Sequence, residues 1–154
     1  MTDKDRPSPV PYEEVLRREG RLVFTPGGNS MRPLLKDHEN PVVILPVTDS
    51  TVLKKYDVVF YKRQNGQYVL HRIIKCHRNG IYTMCGDGQY YTEKNVGRHM
   101  IFGILEGYYK GERYIKVASS LSYAVYSFFR VGTLPVRSFF FRGINYFKRN
   151  FMKK

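Results

Sequence analysis

Acid is scarce in this chain. Its 154 residues hold 13 Asp and Glu against 26 Lys and Arg, a formal net charge of +13. Tryptophan is absent, although there are 13 Tyr and 10 Phe. A basic, aromatic-rich chain points to two partner classes, nucleic acid or an anionic membrane surface. Helix-turn-helix and aromatic RNA-binding signatures are missing, which disfavours nucleic acid. Cysteine is nearly absent as well. Cys76 and Cys85 fit no zinc spacing, since a site would need two more soft ligands. In a chain without an export signal, reduced, half-buried thiols are expected in place of a disulfide. No metal or cofactor is called for.

Long apolar runs are also missing. Residues 1–20 are charged and proline-bearing, with no apolar stretch of the secretory kind. The longest uncharged stretch of the C-terminal part, Val117–Phe129, falls well short of the ~20 apolar residues that a membrane span requires. The expectation is a cytoplasmic chain, peripheral at the membrane.

What remains is mainly β. Tyr12–Glu19 reads as a short helix stopped by Gly20, and Leu22–Thr25 as a short β-run. Val42–Val47, Asp57–Lys62, Tyr68–Cys76 and Ile81–Cys85 are rich in Val, Ile and Tyr. Asn65-Gly66 and Asn79-Gly80 separate the last three of these runs, which predicts an antiparallel meander. Met100–Glu106 and Glu112–Val117 read as later strands. Ser119–Lys154 differs in kind, with seven Lys or Arg, no Asp or Glu, and ten Phe or Tyr. It is split between Gly132 and Pro135. In its second half Val136, Phe140, Ile144, Phe147 and Phe151 recur at helical spacing, and Arg137, Arg142, Lys148 and Arg149 point elsewhere around the same helix. Three units follow: a lead-in with a short helix over 1–20, a β domain over 21–118, and an amphipathic basic-aromatic tail over 119–154.

Chemistry concentrates at three places. Gly27-Gly28-Asn29-Ser30-Met31-Arg32-Pro33 opens the backbone before a serine, so that a carbonyl can approach Oγ and an oxyanion can meet backbone N–H groups. His71 stands in an apolar run, a costly place for a titratable ring without a partner or a task. His38, His77 and His99 read as surface residues. Gly86-Asp87-Gly88 is a tight turn that fixes a carboxylate, and Glu93 follows. With a two-residue loop at Asn79-Gly80, position 71 pairs near 88. The same count across Asn65-Gly66 sets Phe60 opposite His71. Strict pairing leaves Asp87 on the face opposite His71, so Asp87 needs a bulge to reach it, whereas Glu93 can curl back freely.

The Ser-Met-x-Pro box at Ser30–Pro33, then Tyr56-Asp57-Val58-Val59, His71-Arg72, Gly86-Asp87 and Ile101-Phe102-Gly103, in this order, resembles the type I signal peptidases. It also resembles the wider superfamily that includes the LexA-type self-cleaving repressors. The resemblance spans about Gly27 to Gly103. It implies a signal-peptidase-like antiparallel β catalytic core that cleaves peptide bonds. Where a Ser-Lys dyad operates in bacterial members, the lysine stands at the position of His71, so the chain resembles the Ser-His subgroup that includes the endoplasmic-reticulum-type enzymes. That subgroup implies Glu93 as third member, with Asp87 as competitor or loop organiser. Gly28 stands where many relatives carry Ser or Thr, which leaves the oxyanion to backbone N–H groups at Gly28 and Ser30. Gly88 replaces the usual Asn, and no N-terminal transmembrane anchor is evident.

The expected mechanism uses neutral His71 as base for Ser30, with Lys62 and Lys75 as rival bases outside the box position. Activity is expected to fall below a pKa near 6–7, shifted by the surroundings. The expected partner is a peptide or protein substrate, with an anionic membrane surface under residues 119–154. The competing expectation is a non-catalytic basic β-domain that binds nucleic acid or such a membrane surface. For the tail, a hairpin packed on the core competes with a helix lying on the bilayer.

Overall fold

The structure, a computed structural model, describes residues 10–151, with side chains over 10–142. Helix α1 (Tyr12–Glu19) carries Glu13 and Glu14 in its first turn and Arg17 and Arg18 in its last. Both pairs oppose the helix dipole. Gly20 ends it in the left-handed region at φ 65°, donating its N–H to the Leu16 carbonyl at 2.9 Å. Leu16 is the residue that α1 buries.

Eight strands follow: β1 (Leu22–Phe24), β2 (Val42–Pro46), β3 (Val58–Lys62), β4 (Tyr68–Cys76), β5 (Ile81–Cys85), β6 (Glu93–Gly97), β7 (Ile101–Lys110) and β8 (Arg113–Lys116). They form one antiparallel sheet in the order β1-β2-β7-β3-β4-β5-β6, with β8 also on β7. The fold is thus mainly β, with a helical C-terminal part. Because side chains alternate along a strand, the sheet carries two cores. Val58, Phe60 and Leu70 pack with Leu16, Val42 and Ile44 on one side. Val59, Tyr61, Val69 and Ile73 pack with Tyr82, Met84 and Val96 on the other.

The β3–β4–β5 meander forms as expected, but both of its turns are longer than two residues. Lys62 pairs with Tyr68, and the Arg63 N–H reaches the Gln67 carbonyl at 2.9 Å. Gly66, at φ 83°, supplies the left-handed residue of a bulged turn. His71 therefore faces Val59, and Phe60 faces Leu70. The expected pairing of Phe60 with His71 is off by one residue, which reverses the faces. At the second turn the His77 N–H reaches the Ile81 carbonyl at 2.8 Å, with Asn79 and Gly80 at φ 59° and 66°. A further irregularity between Ile73 and Lys75 brings Arg72 opposite Cys85.

After β8 come α2 (Leu121–Gly132) and α3 (Leu134–Phe151). Ser120 caps α2, its Oγ accepting from the Tyr123 N–H at 3.2 Å. The break falls at Thr133, inside the expected Gly132–Pro135 split. The side chains of Ile144, Phe147, Lys148, Arg149 and Phe151 lie outside the described residues. Among the described residues no helix is long and apolar enough to cross a membrane.

Candidate active site

The serine turn is held from below and from the side. Met31 and Leu35 are buried in the core under Ser30. The Leu35 N–H donates to the Met31 carbonyl at 3.0 Å, and the Arg32 N–H to the Asn29 carbonyl at 3.2 Å. From the side comes the Gly86-Asp87-Gly88 segment, whose Gly88 N–H donates to the Ser30 carbonyl at 2.7 Å. A Cβ on Gly86 would collide with the Ser30 carbonyl oxygen, and one on Gly88 with that of Asn29. The two glycines around Asp87 let one backbone lie directly against the other. Gly28, at φ 91°, gives its N–H to Asp37 Oδ1 at 2.6 Å. The oxyanion donor expected at Gly28 is therefore engaged by a carboxylate. Among the described residues no acceptor takes the Ser30 N–H, and no hydrogen bond holds its Oγ.

His71 is 2% exposed in the middle of β4. Its Nδ1 lies 3.3 Å from the Tyr61 hydroxyl, which donates to Glu93 Oε2 at 2.9 Å. With that proton committed, the Tyr61 oxygen accepts from Nδ1–H. The tautomer so fixed leaves Nε2 as the basic nitrogen, and no described residue is hydrogen-bonded to it. Arg63 closes the chain, its Nη2 and Nε at 2.6 and 2.9 Å from the Glu93 oxygens. Burial drives the His71 pKa down from its ordinary value to about 4, and the Arg63 cation adds to the fall. The Glu93 and Asp87 carboxylates oppose it. Burial, then the Glu93 anion, raise the Tyr61 pKa, so its proton stays on. Burial alone would raise Glu93, but hydrogen bonds from Arg63 and Tyr61 overcome it and keep the carboxylate ionised.

Ser30 and His71 line the same cleft, of about 470 Å3, without a hydrogen bond between them. The separation of 41 positions along the chain is thus bridged by the fold. Tyr12, Phe24, Phe60 and Tyr68 furnish an aromatic wall, with ring centroids 4.9–5.8 Å apart. Gln89 and Tyr91 form the other rim. The rival base Lys62 lies against Tyr68 and Glu13, whose hydrogen bonds raise its pKa. Lys75 lines a separate cavity. His38, His77 and His99 are exposed, as expected. Burial pushes the Cys85 thiol up to about 11, far from a thiolate nucleophile. Among the described residues no group of three His, Cys, Asp or Glu is placed to hold a metal.

Asp87 does not join His71. Adjacent residues of a strand face opposite ways, and Asp87 is taken by Arg72, on the other side of β4. The pair is bidentate, at 2.8 and 2.7 Å, with both side chains 1% exposed. Desolvation works against the Arg72 cation, and the Asp87 carboxylate overrides it, raising the pKa. Arg72 also donates to the Tyr56 carbonyl, the Tyr123 hydroxyl and Ser127 Oγ at 2.8, 3.0 and 2.7 Å. Tyr56 offers that carbonyl from a left-handed backbone, φ 83°.

The tail completes this hub. Tyr126 donates to Asp87 Oδ2 at 3.0 Å. Arg130 and Arg137 donate to the Asp87 carbonyl, and Ser138 Oγ to that of Tyr90 at 2.6 Å. Of the expected site residues, the fold brings together Ser30 and His71, reaches Glu93 only through Tyr61, and sets Asp87 apart as a loop organiser. Sequence reasoning missed Tyr61, Arg63 and the tail arginines. A correct register for β3 would have placed Tyr61 on the His71 face. No family model matches this chain, and no curated protein matches it.

Proposed function

We propose that the chain is a serine endopeptidase of the signal-peptidase kind, with Ser30 as nucleophile and His71 as general base. One observation carries the reading. An unpartnered serine hydroxyl and a buried imidazole with a free Nε2 share one cleft, and the far side of the imidazole is anchored by Tyr61, Glu93 and Arg63.

In this reading a peptide lies along the cleft. His71 Nε2 takes the Ser30 proton as Oγ adds to the scissile carbonyl. The oxyanion meets the free Ser30 N–H. The imidazolium, steadied by Glu93 through Tyr61, gives its proton to the leaving amine, and the C–N bond breaks. Water, deprotonated by the same nitrogen, then releases the acyl group and restores Ser30. Hydrogen bonds of this kind are commonly long without substrate and tighten in the complex, which accommodates the missing Ser30–His71 bond. The aromatic wall suits an apolar substrate side chain.

The test is a peptide-library digest read by mass spectrometry. The full chain is expected to cleave a subset of peptides. Ser30→Ala is expected to abolish cleavage while keeping the native melting transition, and His71→Ala to abolish cleavage at some cost in stability. Cleavage that persists in Ser30→Ala would refute the assignment.

A further inference from the structure

Helix α2 is amphipathic in the inverted sense, and α3 adds a second exposed apolar arc beside it. A helix packed on a protein core normally turns its apolar stripe inward. Here the inward arc of α2 is Tyr123, Tyr126, Ser127 and Arg130, all bonded to the Arg72–Asp87 hub. The opposite arc is Leu121, Val125, Phe128 and Phe129, all exposed, with Leu121 at 79% and Phe128 at 62%. In α3 the buried Leu134 heads an inward arc that continues through Arg137, Ser138 and Phe141, the last stacked on Tyr90 at 4.7 Å. Its outward arc is Val136, Phe139 and Phe140, with Phe139 at 78%. Two adjoining helices thus turn Phe128, Phe129, Phe139 and Phe140 away from the molecule, and among the described residues nothing covers them. Soluble monomers seldom leave so continuous an apolar patch in water.

The charge of the tail and of the surface at the α2–α3 junction names the occupant. The α2–α3 junction at Val131, Leu134 and Pro135 borders a cavity of about 410 Å3 shared with Lys75 and Lys94, both exposed. Residues 119–154 hold seven Lys or Arg and no acid, within a chain of net charge +13. A second copy of the chain would bring like charges together across the patch. Phenylalanine at the acyl boundary with lysine and arginine at the headgroups satisfies both features. We infer that the outward face of α2–α3 docks on the surface of an anionic phospholipid bilayer. The helices lie in the interface without crossing it, their polar faces remaining on the Asp87 loop. Nothing in this inference depends on peptidase activity.

The test is co-sedimentation of the full chain with vesicles of phosphatidylcholine alone and with about 30% phosphatidylglycerol added. Binding is expected to strengthen by about tenfold or more on the anionic vesicles, and to weaken by a similar factor in Phe128→Ser/Phe139→Ser. The double variant is expected to melt like the parent, because both side chains are exposed. A second readout uses the lack of tryptophan in the chain: Phe139→Trp is expected to shift its emission to the blue on anionic vesicles. Absence of vesicle binding overturns the inference. So does binding that follows charge alone, unchanged by the serine pair and without an emission shift. So does a dimer, seen by sedimentation velocity, that the serine pair dissolves and vesicles do not displace.

Discussion

Tyr61 stands between the imidazole and the carboxylate, with its proton already committed to Glu93. Its removal tests whether Glu93 works at a distance. In Tyr61→Phe the Nδ1–H loses its acceptor, and a hydrogen bond within a charged chain contributes about 1.5–3 kcal/mol. The expected loss in kcat is about tenfold to a hundredfold, read from turnover of a peptide cleaved by the parent. The pH profile is the sharper measure. With the His71 pKa driven down to about 4, kcat/KM is expected to hold through mildly acidic pH and to fall only near pH 4. That places the acid limb well below the 6–7 of an ordinary imidazole. In Glu93→Gln the anion that raises His71 is gone, while the Arg63 cation that lowers it remains, so the limb moves lower still. A limb that stays put in Glu93→Gln would separate Glu93 from the imidazole. Stability carries the same sign. The folded pKa lies below the ordinary 6.5, so the unfolded chain binds the extra proton between 6.5 and about 4. Stability is therefore lost as pH falls through that window, by up to about 3 kcal/mol from this one group. In denaturant titrations at pH 7 and pH 4.5, the fall in unfolding free energy is expected to be smaller in His71→Asn than in the parent by a large part of that amount.

At the scale of elements, the strands were easier to read than their connections. Periodicity and composition placed α1, β4 and β5 to the residue, because each is bounded by Gly, Asn or a change of hydropathy. Loop length was not legible, since Asn-Gly serves a two-residue hairpin and a bulged one equally well. One extra residue in the turn between β3 and β4 moved Tyr61 onto the His71 face and Phe60 off it. That slip hid Tyr61 from the sequence, while Ser30 and His71 stood out in their local boxes and Glu93 took its role as third member only from the resemblance. The tail contacts were invisible because Arg130 and Arg137 find their acceptor, the Asp87 carbonyl, across more than 40 positions. The Gly86–Gly88 segment is the element on which site and tail meet. Gly88→Ala would press a methyl group against the Asn29 carbonyl and displace the serine turn. A shift near 1 Å in a reacting group costs on the order of a hundredfold in rate, so turnover is expected to fall that far while most of the stability remains. Asp87→Ala acts the other way. It strands a buried Arg72 cation and is expected to cost about 3–5 kcal/mol in a denaturant titration. Replacing both partners, Arg72→Met with Asp87→Leu, is expected to recover much of that loss, because no unpaired charge remains.

For the whole molecule, the sequence left open whether the tail packs on the β domain or lies on a bilayer, and the polar faces of α2 and α3 are part of how the sheet closes over its buried cation. Arg72 depends on Tyr123 and Ser127 for two of its hydrogen bonds, and Asp87 on Tyr126 for one. Deleting residues 120–154 removes all three and opens a 1%-exposed ion pair to water. At about 1 kcal/mol or more for each bond lost, the truncated chain is expected to be less stable by roughly 3 kcal/mol or more. The serine turn is bonded to the same loop through Gly88, so turnover of a soluble peptide is expected to fall with it, in the absence of any membrane. The Phe128→Ser/Phe139→Ser chain changes only the outward arc, and is expected to keep both stability and soluble turnover. Measuring the two variants side by side divides the tail by face. The inward half is expected to brace the Asp87 loop and the outward half to carry vesicle binding. A truncated chain as stable and as active as the parent would refute the bracing role and leave the tail a simple attachment.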